Sequence, residues 1–369
     1  MRTSTAASVS AAERLLERRE HLQALADAIA KQLDYFDRLS HLVRLVDPAN
    51  AAGFVPSPPT PQSERTLHDQ MPTSPLDALL DADAHNVDVD EDEATRFVCL
   101  RTDFLPTLDA MEESIEFLTS RAKYREAPAY LEKFMECRLK ACQLIQRHAA
   151  SAWLGLAREV ARKLEAKEQK ERHREASLIP LLYVKFRAVA PELRPLVAAL
   201  ERLAARDARC ADILDECRSS YLDTRQRLLG PLTEERLSMA EQADGTLVHR
   251  ALDSLTYITS ACSEERALYA AFFAQPDAGL AAYTGRLSQP LYEHLRTPIL
   301  RETDPRILEE LCAVVRAHLP ADYDDQIQDN ARSWEQATGD MRPLLALQHV
   351  LHRKLEHPDQ VPSESCSVM

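Results

Sequence analysis

The sequence predicts an all-α protein, in which an N-terminal coiled-coil helix precedes an elongated antiparallel helical bundle or rod. Three observations support this prediction. Only 7 of the 369 residues are glycine, against a usual share of about 7%, which disfavours the tight hairpins and phosphate-binding loops of β-rich and nucleotide-binding folds. Apolar residues recur at helical spacing over long stretches. No stretch keeps the strict alternation of a β-strand.

A heptad pattern runs through residues 13–46, within a first segment that we assign to 1–50. With Leu15 as position a, all five a positions and three of the five d positions are apolar, a pattern typical of a coiled coil. A single helix of this length is marginal in water, so its apolar edge needs a surface to bury against. The pattern leaves open whether that surface is the chain's own domain or a partner subunit. The candidate partner-binding residues are Leu15, Leu22, Leu25, Ile29, Phe36 and Leu39.

Residues 51–95 are predicted to be a disordered, Pro-rich acidic linker. The stretch 54–95 holds ten acidic residues and one basic residue, so it carries −9 of the net charge of −14. Such a composition cannot bury enough apolar surface to offset the entropy lost on ordering. The rest of the chain is close to charge balance, and we predict no nucleic-acid partner.

Residues 96–355 are predicted to form a helical domain, followed by a flexible tail at 356–369. An apolar stripe from Leu131 to Leu164 indicates one long amphipathic helix. Prolines 231, 276, 298, 305 and 320 are expected at helix joints, and Pro191 and Pro195 are expected to kink or end a helix. The further helices are expected at 181–206, 208–229, 232–243, 247–274, 278–296, 305–318 and 322–355.

The motifs of common enzymes are absent from the sequence, so we predict no catalytic site, no cofactor and no metal site. His349, His352 and His357 form the densest histidine group, but they lack the spacing of metal ligands. The eight scattered cysteines are expected to be reduced and mostly buried. The ending Cys366-Ser-Val-Met369 fits a prenylation motif, which makes Cys366 a candidate lipidation site. The longest apolar run has eight residues, so we expect no membrane-spanning helix, and the N-terminus lacks the apolar core of a signal peptide.

Three further segments carry a resemblance to a known family. They are YVKFRAVAPELR at 183–194, YLDTRQRLLGP at 221–231 and LYAAFFAQP at 268–276. In this order and spacing they resemble subunit 3 of the conserved oligomeric Golgi complex, a multisubunit vesicle tether. The segments AYLEKF at 129–134 and LDYFD at 33–37 resemble the same family. The similarity runs over most of 13–355, although members of the family are much longer than this chain.

The resemblance implies a peripheral protein on the cytosolic face of the Golgi membrane. Such a protein would assemble with the other subunits of the complex and help to capture vesicles in retrograde traffic within the Golgi. The family's tethers engage SNARE proteins and Rab GTPases, and the family has no catalytic residues. The alternative is a cytosolic helical scaffold or adaptor that is not part of the Golgi tether.

Overall fold

A computed structural model describes residues 2–46, 95–168, 178–242, 245–319 and 341–356. Within these ranges every regular element is a helix, which confirms the all-α prediction. A helical turn at 95–99 accompanies the longer helices. The longer helices are α1 (Arg2–Val46), α2 (Phe104–Ser120), α3 (Ala127–Glu168), α4 (Leu178–Ala204), α5 (Ala208–Gln242), α6 (Leu247–Phe272), α7 (Ala278–Arg301), α8 (Pro305–Ala317) and α9 (Met341–Glu356).

The described residues form two compact units. The first unit contains α1 together with residues 95–148 and 202–213. The second unit contains 149–168, 178–201, 214–242, 245–319 and 341–356. Helices α3, α4 and α5 therefore each contribute residues to both units. Helix α1, the described part of the first predicted segment, shares its unit with residues that follow the acidic stretch.

A buried arginine joins three segments of the first unit. The side chain of Arg138 on α3 is only 4% exposed, and it binds Glu112 of α2 at 3.3 Å and Asp207 at 2.9 Å. Arg206 adds a second contact to Glu112, at 3.1 Å. A buried cation is tolerated when it is paired and hydrogen-bonded. The two ion pairs of Arg138 therefore join α3 to α2 and to the residue that precedes α5. The same unit also buries apolar side chains, among them Phe104, Leu108, Met111, Phe134 and Ile145.

The second unit has an aromatic cluster in its core. The ring of Trp153 lies edge-on to Tyr221 and Phe272, with centroids 5.1 Å and 5.6 Å apart. Tyr269 stacks on Phe273 at 4.6 Å. All five residues are at most 1% exposed. Edge-to-face aromatic contacts stabilise a core beyond the area that they bury, and this cluster joins α3, α5 and α6.

A buried ion pair connects four helices of the second unit. Arg225 of α5 binds the carboxylate of Glu265 of α6 through two nitrogens, one of them at 3.0 Å. The hydroxyl of Tyr283 on α7 donates to the same carboxylate at 2.9 Å. On α4, the rings of Tyr183 and Phe186 face the guanidinium at 5.2 Å and 4.6 Å. The segment at 183–194 thus supplies core residues, as helical packing requires.

Helix α9 lies against α7 and α8 with most of its surface covered. Six consecutive residues, 343–348, are buried, which is the pattern of a helix enclosed on most sides and not of a surface helix. The ammonium of Lys354 donates to the carbonyl of Leu300 at 3.1 Å. This contact satisfies one of the free carbonyls at the end of α7. Of the predicted helix 322–355, the described part begins at Met341.

The predicted helix ends at Pro231 and Pro298 are wrong. Helix α5 continues through Pro231 to Gln242, and α7 continues through Pro298 to Arg301. Helix α4 likewise continues through Pro191 and Pro195. Proline inside a helix costs about 3 kcal/mol or more, and burial of flanking side chains offsets this cost. Around Pro231 these are Leu228, Leu229 and Leu237. Pro276 and Pro305 do lie at joints, as predicted, and Pro320 lies outside the described residues.

Candidate interaction surface

The C-terminal part of α1 is anchored within the first unit. Leu39 and Leu42 are 7% and 1% exposed, and Leu45 and Val46 are also buried. The ring of Tyr35 stacks on Phe117 of α2 with centroids 4.2 Å apart. These apolar contacts fix the direction in which α1 leaves the unit, because they extend over three turns of the helix.

Polar contacts reinforce this anchor at its edge. Arg38 lies between Asp34, at 3.1 Å, and Glu113 of α2, at 3.0 Å. Its guanidinium also lies over the ring of Tyr35, 4.8 Å from the centroid. Exposed pairs of this kind stabilise a structure by at most about 1 kcal/mol each. Their role is to set the rotation of α1 on α2 and not to supply most of the binding energy.

The N-terminal part of α1 is exposed throughout its described side chains. Every residue from 14 to 31 is exposed, including large apolar residues that would normally be covered. Leu15 is 68% exposed, Leu22 54%, Leu25 50% and Ile29 50%. Together with Leu33, which is 55% exposed, they lie on one face of the helix at about 100° per residue. We call these five residues, Leu15, Leu22, Leu25, Ile29 and Leu33, the α1 stripe.

The structure divides the predicted partner-binding residues into two groups. Leu39 is buried in the chain's own core, and Phe36 is half-buried with its ring edge-on to Tyr130 at 5.0 Å. Leu15, Leu22, Leu25 and Ile29 remain exposed. Of the two alternatives left open by the heptad pattern, packing against the chain's own domain therefore applies to the C-terminal part of α1. Binding of a partner by the exposed group remains a prediction.

Leu33 belongs to the exposed face although the heptad register did not select it. It occupies an e position, four residues after Ile29, and an isolated α-helix places such residues beside each other. A register at 3.6 residues per turn would have included it. The same unit has a pocket at the anchored end of α1, whose lining includes Arg38, His41, Leu42, Asp103, Met111 and Phe134.

Other candidate sites give no comparable arrangement. Within the described residues, no group of three or more His, Cys, Asp or Glu side chains is placed to hold a metal ion. His349 is exposed and His352 is half-buried on α9, and His357 lies outside the described residues, as does Cys366. No helix in the described part of the chain is both long and apolar enough to cross a membrane.

Comparison with known proteins finds two matching family models. "Conserved oligomeric Golgi complex subunit 3, N-terminal" matches residues 88–153. "Conserved oligomeric Golgi complex subunit 3, C-terminal" matches residues 180–358. Together the two ranges cover well over half of the chain, and they include most of the helices described above. No solved structure matches the chain.

Curated relatives point to the same family. The chain is 27% identical over 238 residues to conserved oligomeric Golgi complex subunit 3 of Mus musculus and of Homo sapiens. These alignments cover 62% of this chain and 27% of each relative. The subunit 3 of Saccharomyces cerevisiae is 23% identical over 310 residues, or 81% of this chain and 33% of the relative. The chain thus spans about a quarter to a third of the length of the curated relatives that it matches. From the two family models and these relatives, the chain belongs to the family of subunit 3 of the conserved oligomeric Golgi complex.

Proposed function

We propose that the chain is a structural, non-catalytic subunit of a Golgi tethering complex, and that it takes part in intra-Golgi retrograde vesicle tethering through helical contacts with sister subunits. Family membership supports the assignment of the chain to this complex. The α1 stripe is the observation that supports contacts with sister subunits, because its five large apolar side chains are exposed on one helix face. A stripe of this kind is suited to pack against an amphipathic helix of another chain.

The energetics of the stripe favour such a contact. Burying a Leu or Ile side chain fully stabilises an assembly by about 1.5–3 kcal/mol. Association costs rigid-body freedom and side-chain ordering. Because α1 is already held in the first unit by Leu39, Leu42 and Tyr35, part of the ordering cost of this helix is met before binding. We therefore expect burial of the five side chains to support a specific helical contact.

Location and further partners belong to the same proposal. The chain would associate peripherally with the cytosolic face of the Golgi membrane, through the complex of which it is a part. SNARE proteins and Rab GTPases are the further partners that the resemblance implies. Cys366 is a candidate lipid-attachment site, and one prenyl chain alone would hold a membrane only weakly.

A pull-down of the tagged full chain from its own cells, read by mass spectrometry, tests the proposal. The wild-type chain is expected to recover other subunits of the Golgi complex. The double change Leu22→Asp and Ile29→Asp places two charges in the stripe and should weaken this binding at least about a hundredfold, given the energy of two buried side chains. Circular dichroism should show unchanged helix content, because both positions are exposed.

A matched control has the same charge change outside the stripe. Gln23→Asp with Ala24→Asp also adds two acidic residues to the exposed part of α1, on its other faces. This control is expected to bind like the wild type. Equal binding by the stripe variant would overturn the proposed contact. Recovery of proteins unrelated to the Golgi complex by the wild-type chain would favour the scaffold alternative.

A further inference from the structure

The charges around the α1 stripe are segregated by helix face. Residues 14–34 carry four Lys or Arg side chains and four Asp or Glu side chains, so these charges cancel. At about 100° per residue, Arg14, Arg18 and Arg19 lie within about 80° of Leu22, on the side of the stripe. The four acidic residues lie at about 120° or more from Leu22; they are Glu17, Glu20, Asp27 and Asp34. Between residues 14 and 34, the stripe is therefore bordered by positive charge and by no carboxylate.

Arg18 and Arg19 have no acidic neighbour on their own face of α1. Side chains three and four residues apart are neighbours on a helix, whereas those one or two apart point in different directions. Glu17 and Glu20 are only one or two positions away, and no residue three or four positions from either arginine is acidic. Both arginines are exposed. Because Arg18 occupies a d position between two leucines of the stripe, a helix that packs on the stripe meets its guanidinium.

We propose that the partner of the α1 stripe is a helix of a sister subunit with acidic residues beside its own apolar seam, and that these carboxylates pair with Arg18 and Arg19. The inference rests on the proposed function, because it specifies the partner of the same surface. Burying a guanidinium without an opposite charge is strongly unfavourable, so a partner with a purely apolar seam is disfavoured. Arginine binds a carboxylate through two parallel hydrogen bonds, which fixes the alignment of the two helices.

The contact between α1 and α2 within this chain combines the same two elements. There the ring of Tyr35 stacks on Phe117 of α2. Arg38 binds Glu113 of α2 at 3.0 Å, in addition to an aspartate of its own helix. The opposing helix thus supplies both an apolar surface and a carboxylate. Residues 14–31 present apolar and arginine side chains in the same way, and they remain exposed.

A second copy of this chain does not supply the required charge. The arginines at 14, 18 and 19 lie at the N-terminal end of the stripe. In a parallel pair they would face the same arginines of the other copy, and like charges in contact are unfavourable. In an antiparallel pair they would face the other end of the stripe, where Ala26 and Gln32 flank Ile29. Neither arrangement brings a carboxylate to the arginines, so the partner is a different chain.

An anionic lipid surface fits this helix less well than an acidic helix does. Helices that lie on membranes are rich in Lys and Arg on the polar face and carry Trp, Phe or Leu on the other face. The polar face of α1 instead has Glu17, Glu20 and Asp27 against one lysine, and residues 14–34 include no Trp or Phe. The stripe is also only about 80° wide, which is typical of a seam between helices.

Replacing Arg18 by leucine separates an acidic partner from an apolar one. Arg18→Leu makes the d position apolar at nearly unchanged helix propensity, so circular dichroism should match the wild type. Because the partner's carboxylate loses its opposite charge, recovery of sister subunits by the tagged full chain should fall at least about tenfold. Lys31→Leu, the matched change on the opposite face, should bind like the wild type. Recovery by Arg18→Leu at or above the wild-type level would overturn the proposal.

Zero-length crosslinking identifies the carboxylate itself. In the complex recovered with an Arg18→Lys chain, a water-soluble carbodiimide joins the amine at position 18 to a carboxylate in contact with it. The expected product, mapped by mass spectrometry, is an amide link from position 18 to an Asp or Glu of a sister subunit. Lys31 faces away from the stripe and should give no such link in the same sample. A link from position 18 to this chain alone, or no link, would overturn the proposal.

The stripe variant distinguishes failure of this inference from failure of the proposed function. If Leu22→Asp with Ile29→Asp abolishes binding and Arg18→Leu does not, the contact stands and the acidic partner is overturned. If Leu22→Asp with Ile29→Asp also binds like the wild type, the contact itself is overturned. Binding of the purified full chain to phosphatidylserine vesicles that is lost in Arg18→Glu would assign this face to a lipid surface and overturn the acidic helix.

Discussion

At the scale of single residues, the carboxylate of Glu265 is a buried charge in the second unit. It is 1% exposed and is bound by the fully buried Arg225 and by Tyr283. Breaking a buried ion pair leaves the other charge without compensation, whereas replacing both partners by apolar residues can be close to neutral. We therefore expect the pair to specify which helices meet more than it adds net stability.

A double-mutant comparison tests this role of the ion pair. Glu265→Leu alone should lower the free energy of unfolding by about 3–5 kcal/mol, because Arg225 stays buried without its partner. The combined change Glu265→Leu and Arg225→Met should lower it by clearly less than the sum of the two single changes. Urea denaturation followed by circular dichroism measures both. Strict additivity of the two changes would contradict the account.

Buried thiols give a second prediction at this scale. Burial raises the pKa of Cys99 and of Cys217 to about 12. At pH 8 only roughly one such thiol in ten thousand is a thiolate, and the thiolate is the form that reacts with iodoacetamide. Both cysteines should therefore remain unlabelled in the native chain for hours at pH 8. Labelling within minutes, at a rate close to that of the chain in denaturant, would show that these sites are open.

At the scale of helices, type and order follow from local sequence, whereas several ends do not. Apolar periodicity is enough to predict α3 and the order of the helices that follow it. The ends predicted at Pro231 and Pro298 are wrong because tertiary burial of neighbouring apolar side chains offsets the local cost of proline. No property of the local sequence reports that burial, since it depends on which distant helices pack there.

For the candidate site on α1, too, the local sequence does not report which side chains are buried. The heptad pattern assigns Leu22 and Leu39 equal status, yet Leu22 is 54% exposed and Leu39 is 7% exposed. The difference arises from α2, which covers only the C-terminal part of α1, as the stacking of Tyr35 on Phe117 shows. Periodicity identifies an apolar face, and only the fold shows how much of that face the chain covers itself.

A helix cap gives a prediction at this scale. The side chain of Asp304 accepts a hydrogen bond from the backbone N–H of Arg306 at 2.9 Å, at the start of α8. Asp304→Ala removes this cap and should lower the free energy of unfolding by about 1 kcal/mol. Asp304→Asn should retain most of the stability, because asparagine caps nearly as well. Thermal or urea unfolding compares the two variants, and equal losses for both would exclude capping as the cause.

At the scale of the whole molecule, the proposed contact depends on the apolar surface that the described part of the chain leaves uncovered. Inside the two units, the buried arginines Arg138 and Arg225 are held by ion pairs that join separate segments of the chain. The largest set of uncovered apolar side chains that we identify among the described residues lies on α1. These properties agree with membership of a family named for a subunit of a complex.

The central claim is that the α1 stripe contacts a sister subunit of the Golgi complex. The most direct measurement is photo-crosslinking from a benzoylphenylalanine placed at Leu25, in the full chain expressed in its own cells, with the same probe at Gln23 as the control. We predict crosslinks from position 25 to another subunit of the complex, identified by mass spectrometry, and few from position 23. Crosslinks from position 25 to this chain alone, or equal crosslinking from both positions, would contradict the claim.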